Sequence, residues 1–234
     1  MARNLTLILV FIHFLSGCSN LMTADPPNQV LAGIHEFGTT AFTYSLNGQQ
    51  FISGGFRGDI RIWDAATRRP RGEARAHDRP VRAILPLAGG AFVSGGDDGR
   101  LILWHGQRIK AQVKGTGVTA LALFQGQVVS GHADGRVRVW SADTLRALRD
   151  IPLDEKVTAL SAHGNQLAVG LYHRILVLGA DFTPRTTLAT EGAPHDLQFS
   201  PDGRMLAAGS WFRLHVGIWR AARCVPSRPS TTAC

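Results

Sequence analysis

The chain has 234 residues, 44% of them hydrophobic, which suits one domain or a single large β architecture with a sizeable core. Its formal charge of +8 comes almost entirely from arginine: Lys110, Lys114 and Lys156 are the lysines, and no basic block extends beyond a few residues. A charge spread in this way singles out no polyanionic partner, and the arginine usage of a GC-rich genome is its simpler source.

The first eighteen residues read as a sorting signal. Arg3 precedes the apolar run Leu5–Leu15, and Ser16-Gly17-Cys18 follows. The run is too short to cross a bilayer as a helix, which takes about twenty apolar residues. It matches the hydrophobic part of a secretory signal with small residues at the cut site. Leu15-Ser16-Gly17-Cys18 resembles the lipobox of bacterial lipoproteins. That resemblance implies a signal peptide over residues 1–17 and acylation of Cys18. With Ser19 and not Asp next, it also implies sorting to the outer membrane, facing the periplasm. Stable anchoring requires more than one acyl chain, which the lipoprotein modification supplies. Residues 18–29 then form a lipidated Cys and a polar, Pro-containing tether. The alternative is an unlipidated signal peptide with an incidental Cys. Export makes nucleic acid an unexpected partner.

From residue 30 a hairpin-like signal recurs five times: SLNGQQFISGG, LAGGAFVSGG, FQGQVVSGH, AHGNQLAVGL and SPDGRMLAAGS. The aligned turn glycines are Gly48, Gly89, Gly126, Gly164 and Gly203, with steps of 41, 37, 38 and 39. A period near forty belongs to propeller repeats. A short apolar strand precedes each hit, over residues 40–43, 80–83, 117–120, 156–159 and 194–197. Third strands follow at 59–63, 100–104 and 136–140, and more variable fourth strands fit 70–76, 107–113 and 145–151. In the third strands Ile60, Ile62, Ile102, Val137 and Val139 are expected on one face. Arg61, Leu101, Leu103, Arg138 and the tryptophans are expected on the other. Four strands per repeat make one blade, so the fold class is all-β: a β-propeller of four-stranded antiparallel blades with about five repeats.

Trp63-Asp64 at the end of a third strand resembles the dipeptide of WD40 repeats, and Ser94-Gly95-Gly96-Asp97-Asp98-Gly99 resembles that family's turn between second and third strands. Ala76-His77 stands where the family usually has Gly-His. The resemblance implies a hydrogen-bonded structural set of His77, Ser94, Asp98 and Trp104. The histidine would be held between a hydroxyl and an indole N–H while the Asp pins the tight turn, which makes it structural and not catalytic. Blade one has Ser53, Trp63 and a candidate His35, with Arg57 in place of the Asp. Blade three keeps Ser130, Asp134 and Trp140 and lacks the His. The repeats are expected to span residues 30–216.

Residues 217–234 form an irregular tail of Pro, Ser, Thr, Arg and Cys without a strand pattern. Three readings stay open: a frameshift or truncation near Gly217, which is favoured, a closed five-bladed ring, or assembly with another chain. Cys224 and Cys234 could pair in an oxidising compartment, but their spacing fits neither a zinc knuckle nor haem attachment.

No motif with a catalytic mechanism occurs, so no catalytic residue, no metal and no cofactor is expected. The innermost strands are mainly Ala, Val, Thr and Phe, with Arg82, His195 and Asp196 as exceptions, too few for a metal cage. The turns between second and third strands open at one end of a propeller. There Phe56, Arg57, His132, Tyr172, Trp211 and Arg213 form the expected partner-binding rim, since exposed aromatics and arginines favour interfaces. The competing assignment packs Tyr172, Trp211 and Phe212 between blades. The leading function is a lipid-tethered, non-catalytic scaffold that holds a protein partner in the cell envelope. The alternatives are a propeller enzyme or metal-binding protein, or an accessory fragment of a larger redox or transport protein.

Overall fold

The computed structural model describes residues 34–210 and 214–218. By its contacts the chain divides into Met1–Ala32 and Gly33–Cys234, and every described residue lies in the second unit. The signal peptide, Cys18, the tether, Trp211, Arg213 and the cysteines of the tail lie outside the described residues.

Alternating β-branched runs broken by glycine turns fold into five consecutive meanders, each antiparallel throughout. Blade one contains β1 (Thr39–Tyr44), β2 (Gln50–Gly55), β3 (Asp59–Asp64) and β4 (Pro70–Arg75). Blade two contains β5 (Val81–Pro86), β6 (Ala91–Gly96), β7 (Arg100–His105) and β8 (Arg108–Lys114). Blade three contains β9 (Val118–Phe124), β10 (Gln127–His132), β11 (Arg136–Ser141) and β12 (Ala147–Pro152). Blade four contains β13 (Ala159–His163), β14 (Gln166–Gly170), β15 (Arg174–Leu178) and β16 (Pro184–Ala189). Blade five has three described strands, β17 (Asp196–Phe199), β18 (Met205–Gly209) and β19 (Leu214–Ile218).

The five glycines that mark the repeat all sit in the left-handed region, from φ 54 at Gly164 to φ 71 at Gly126. Only glycine enters that region at little cost, which is why the period is visible in glycine before any other residue. The first and last of these turns share their chemistry. The Gln50 N–H donates to Ser45 Oγ at 2.9 Å and the Met205 N–H to Ser200 Oγ at 2.9 Å.

The first strands touch in series, β1 with β5, β5 with β9, β9 with β13 and β13 with β17, so they line the inside of the fan. Among the described residues, no contact of that extent joins β17 back to β1.

Each blade is one sheet thick, so the cores lie between blades. The side of a blade that carries the serine and tryptophan positions is its leading face, and the opposite side its trailing face. The trailing Ile52, Ile60 and Ile62 of blade one pack on the leading Phe92, Ile102 and Trp104 of blade two. The trailing Val93, Leu101 and Leu103 pack on Val128 and Trp140 of blade three. Val129, Val137 and Val139 pack on Leu167, Val169 and Leu178. Ala168, Ile175 and Val177 pack on Leu197, Phe199 and Leu206. Burying each of the Val, Leu, Ile and Phe side chains among them contributes about 1.5–3 kcal/mol. In β7 the expected sidedness is corrected: Ile102 shares the leading face with Trp104, while Leu101 and Leu103 trail. The two-residue period sets this, because 102 and 104 must point the same way.

A glycine in each second strand leaves a notch for the next blade. A Cβ on Gly54, Gly95, Gly131 or Gly170 would lie within 2.8 Å of Val81, Val118, Val157 or Pro194, respectively. Here glycine is required by close approach of a neighbour and not by backbone conformation.

Candidate functional site

The most organised polar group on blade two is wholly enclosed. The Trp104 indole N–H donates to Ser94 Oγ at 2.9 Å, and Ser94 Oγ lies 2.9 Å from His77 Nε2. His77 Nδ1 stands 3.0 Å from an Asp98 carboxylate oxygen, which corrects the expected placement: the imidazole lies between the hydroxyl and the acid, and the indole reaches the serine instead. With the indole donating into it, the serine hydroxyl hydrogen turns to Nε2 and the Nδ1 hydrogen to Asp98, a tautomer assigned from the network. Burial pushes the Asp98 carboxyl up. The His77 ring and the amides of Asp78 and Arg100, both at 3.0 Å, outweigh that and hold it below the ordinary carboxylate range.

Blade one builds the same set from His35, Ser53 and Trp63, at 2.8 Å and 3.0 Å around the hydroxyl. Arg57 does occupy the turn position of the acid, yet the set has a carboxylate: Asp59, the first residue of β3, pairs with His35 Nδ1. Blade three also corrects the sequence reading, because it does not lack a histidine. His132 Nε2 lies 2.8 Å from Ser130 Oγ, Trp140 donates to the same oxygen at 2.7 Å, and His132 Nδ1 bonds the Thr116 carbonyl at 2.9 Å. His132 is therefore not a rim residue: it is 2% exposed and turned inward. Burial first, with the Arg138 charge against the opposing pull of the Thr116 carbonyl, lowers its pKa below the ordinary imidazole value.

Asp98, His77 and Ser94 have the connectivity of a hydrolase triad. Ser94 and His77 are both fully enclosed, however, and an indole N–H occupies the serine oxygen where a substrate carbonyl would have to approach. The arrangement is a brace: it ties the turn before β7 and the link before β5 to the sheet. Among the described residues no group of three or more His, Cys, Asp or Glu converges as a metal site would.

The accessible chemistry lies on the rim. The β2–β3 turn and the β4–β5 link meet at one end of the sheet, where the Ala76 and His77 amides donate to the Gly58 carbonyl at 3.3 and 3.1 Å. Between them is an open cleft of about 380 Å³ lined by Phe37, Phe56, Arg57, Arg75, Asp78, Arg79 and Pro80. Phe56 is half exposed. Arg57 stacks over the Phe37 ring at 4.7 Å and pairs with Glu36 at 2.8 Å, while Asp78 is engaged by Arg100 at 2.7 Å. Arg75 and Arg79 have no carboxylate partner among the described residues. Tyr172 stands on blade four, exposed and edge-on to His173 at 4.4 Å, so it does not pack between blades. Sequence reasoning found Phe56 and Arg57 and missed Phe37, Arg75 and Arg79. The signal available was three arginines and two phenylalanines flanking the two turns that abut.

Arg82, an exception on the inner strands, is bound to Asp97 at 2.8 Å. It sits at a β-bulge, where the register shifts between Val81 and Ala83. Blades one and three carry the same shift, which turns Thr40 and Thr119 out of the regular alternation.

Residues 29–64, 68–105 and 182–213 match the model of the WD domain, G-beta repeat, and together they make up a little under half of the chain. No curated protein matches the chain. Among 1572 matching solved chains, a breadth that leaves function open, is the computationally designed Ika8 protein. It is 27% identical with a TM-score of 0.66 over 77% of this chain. The present chain spans 58% of that protein's length. The fold is accordingly a β-propeller of four-stranded antiparallel blades, and it carries WD40-type repeats at three places along the chain.

Proposed function

We propose that this chain is a non-catalytic interaction scaffold of the bacterial envelope, held to the membrane by a lipid on Cys18, that grips a protein partner with its rim. The observation that carries this reading is the cleft between blades one and two. It combines exposed Phe37 and Phe56 with two arginines, Arg75 and Arg79, that have no carboxylate partner among the described residues. Aromatic anchors beside desolvatable guanidinium groups are what protein interfaces concentrate, and their charge suits a partner segment bearing Asp or Glu. Tyr172 extends the rim to blade four, and Trp211 and Arg213 would extend it to blade five. The catalytic alternative has a weak candidate in these sets, since the serine and histidine of each braced blade are buried.

Two experiments test the two halves. Cys18→Ser should move the protein from the membrane to the soluble fraction of cells and abolish incorporation of labelled palmitate, and unchanged labelling would refute the anchor. In vivo cross-linking followed by Phe56→Ala and Arg79→Glu should lose a specific envelope partner by about tenfold or more. A partner retained by both variants would remove the cleft from the interface.

A further inference from the structure

The four junctions between blades place equivalent residues on equivalent neighbours, and the two outer faces of the fan carry the equivalent positions with no described residue packed on them as at the junctions. On the trailing side, the position opposite the notch glycine is Ile60, Leu101, Val137 and Ile175 in blades one to four, each at most 3% exposed. In blade five it is Leu214, opposite Gly209 and 71% exposed. The next position is Ile62, Leu103, Val139 and Val177, at most 4% exposed, against 61% for Val216 in blade five. The notch repeats the pattern: Gly54, Gly95, Gly131 and Gly170 each receive a residue of the following blade, while no atom of a described residue lies within 4 Å of a Cβ built on Gly209.

The leading side of blade one mirrors this. Phe92, Val128, Leu167 and Leu206 are at most 3% exposed, whereas their counterpart Phe51 is only half-buried, covered by the exposed rings of Phe42 and Tyr44 at 6.0 and 5.4 Å. Thr39, which pairs with Gly55 as Val81 pairs with Gly96, stands exposed where the other blades insert their knob.

An aliphatic trailing face with an empty notch and an aromatic leading face with a spare knob are the two halves of one junction. We propose that copies of this chain join head to tail, with blade five of one copy packing on blade one of the next. In that contact Leu214 and Val216 cover Phe51, and Gly209 receives Thr39. The occupant is a second copy because the chain itself presents both complementary surfaces, with the apolar faces and glycine notch that four internal junctions already use. Such a contact is heterologous, so it closes into a ring or extends as a chain according to the rotation it imposes.

The test is sedimentation velocity on the full chain in detergent over a wide concentration range. Wild type should associate with rising concentration. Gly209→Val fills the notch and Thr39→Arg spoils the knob, so each variant alone should stay monomeric with an unchanged unfolding midpoint. Val216→Glu serves as a second block of the trailing face. An equimolar mixture of Gly209→Val with Thr39→Arg has one sound trailing face and one sound leading face, and should form a 1:1 heterodimer and nothing larger. Wild type that remains monomeric at every concentration overturns the proposal, because another segment or another protein then covers the two faces. Association that survives all three substitutions overturns it equally.

Discussion

His132 reaches Ser130, two residues back along its own strand, at 2.8 Å, and so does for blade three what His77 does for blade two from seventeen residues upstream of Ser94. The hydroxyl is the constant of the set: in all three blades it accepts an indole N–H and meets an imidazole, while the route by which the imidazole arrives changes. A buried Trp N–H needs an acceptor, and the serine that meets it needs a partner for its own hydrogen.

Ser94→Ala should therefore destabilise the chain by about 1–3 kcal/mol, because it strands the Trp104 N–H and His77 Nε2 in a site closed to water. Urea unfolding checks the value. A double substitution with Trp104→Phe should recover part of the loss by removing the stranded donor. If Ser94→Ala is neutral, the brace contributes nothing to the fold.

The lowered pKa of His132 sets a pH dependence with a definite sign. The folded chain refuses a proton that the unfolded chain accepts, so this contribution is intact above the ordinary imidazole pKa of about 6.5. It declines as pH falls below that value toward the folded pKa. Denaturation across the imidazole window, from about pH 8 to about pH 5, should show stability falling with acid in wild type and a shallower slope in His132→Gln. Equal slopes would mean that His132 is protonated as readily folded as unfolded.

Gly95→Ala should destabilise by about 1–3 kcal/mol, since its Cβ would press into Val118 and both blades are fixed by their cores. Gly209→Ala should be neutral in the single copy, where the same atom meets open space. Thermal unfolding of the two variants side by side measures the difference, and equal costs would refute the notch.

Asp64 should titrate at about 2. The Thr67 backbone N–H, donating at 2.7 Å, is the largest cause, followed by the Arg71 side chain and the Thr67 hydroxyl. Carboxyl NMR on Arg71→Ala should find Asp64 raised but still below its ordinary value, because the Thr67 donors remain. A return to the ordinary value would assign the whole effect to Arg71.

Much of the fold was legible because its determinants are local. Gly48, Gly89, Gly126, Gly164 and Gly203 adopt positive φ within a turn that involves a few neighbours, so their period could be read without tertiary structure. The strands between them followed from β-branched runs. The contributions of Asp59 and His132 were illegible for the opposite reason. Each reaches its partner by side-chain direction, Asp59 from the start of β3 and His132 along its own strand, from a position where the repeat pattern has a different residue, and alignment of positions cannot reveal a substitute arriving from elsewhere. His132 also sits in a turn sequence that resembles a surface loop, and its burial depends on the packing of the Thr116 segment. On the rim, Phe56 and Arg57 were visible as turn residues. Arg75 and Arg79 joined them through the bonds of Ala76 and His77 to Gly58, a contact between segments almost twenty residues apart.

The two sides of every blade differ, and this gives the repeat a polarity with a hereditary consequence. Duplicating the stretch that encodes blade two inserts a sheet whose aromatic side meets an aliphatic neighbour and whose aliphatic side meets an aromatic one, so the new joint works at once without compensating changes elsewhere. Exchanging two blades keeps that polarity, whereas turning one blade around sets like face against like. Repeat number can thus drift over generations by whole units, and selection needs to judge only the diameter that results.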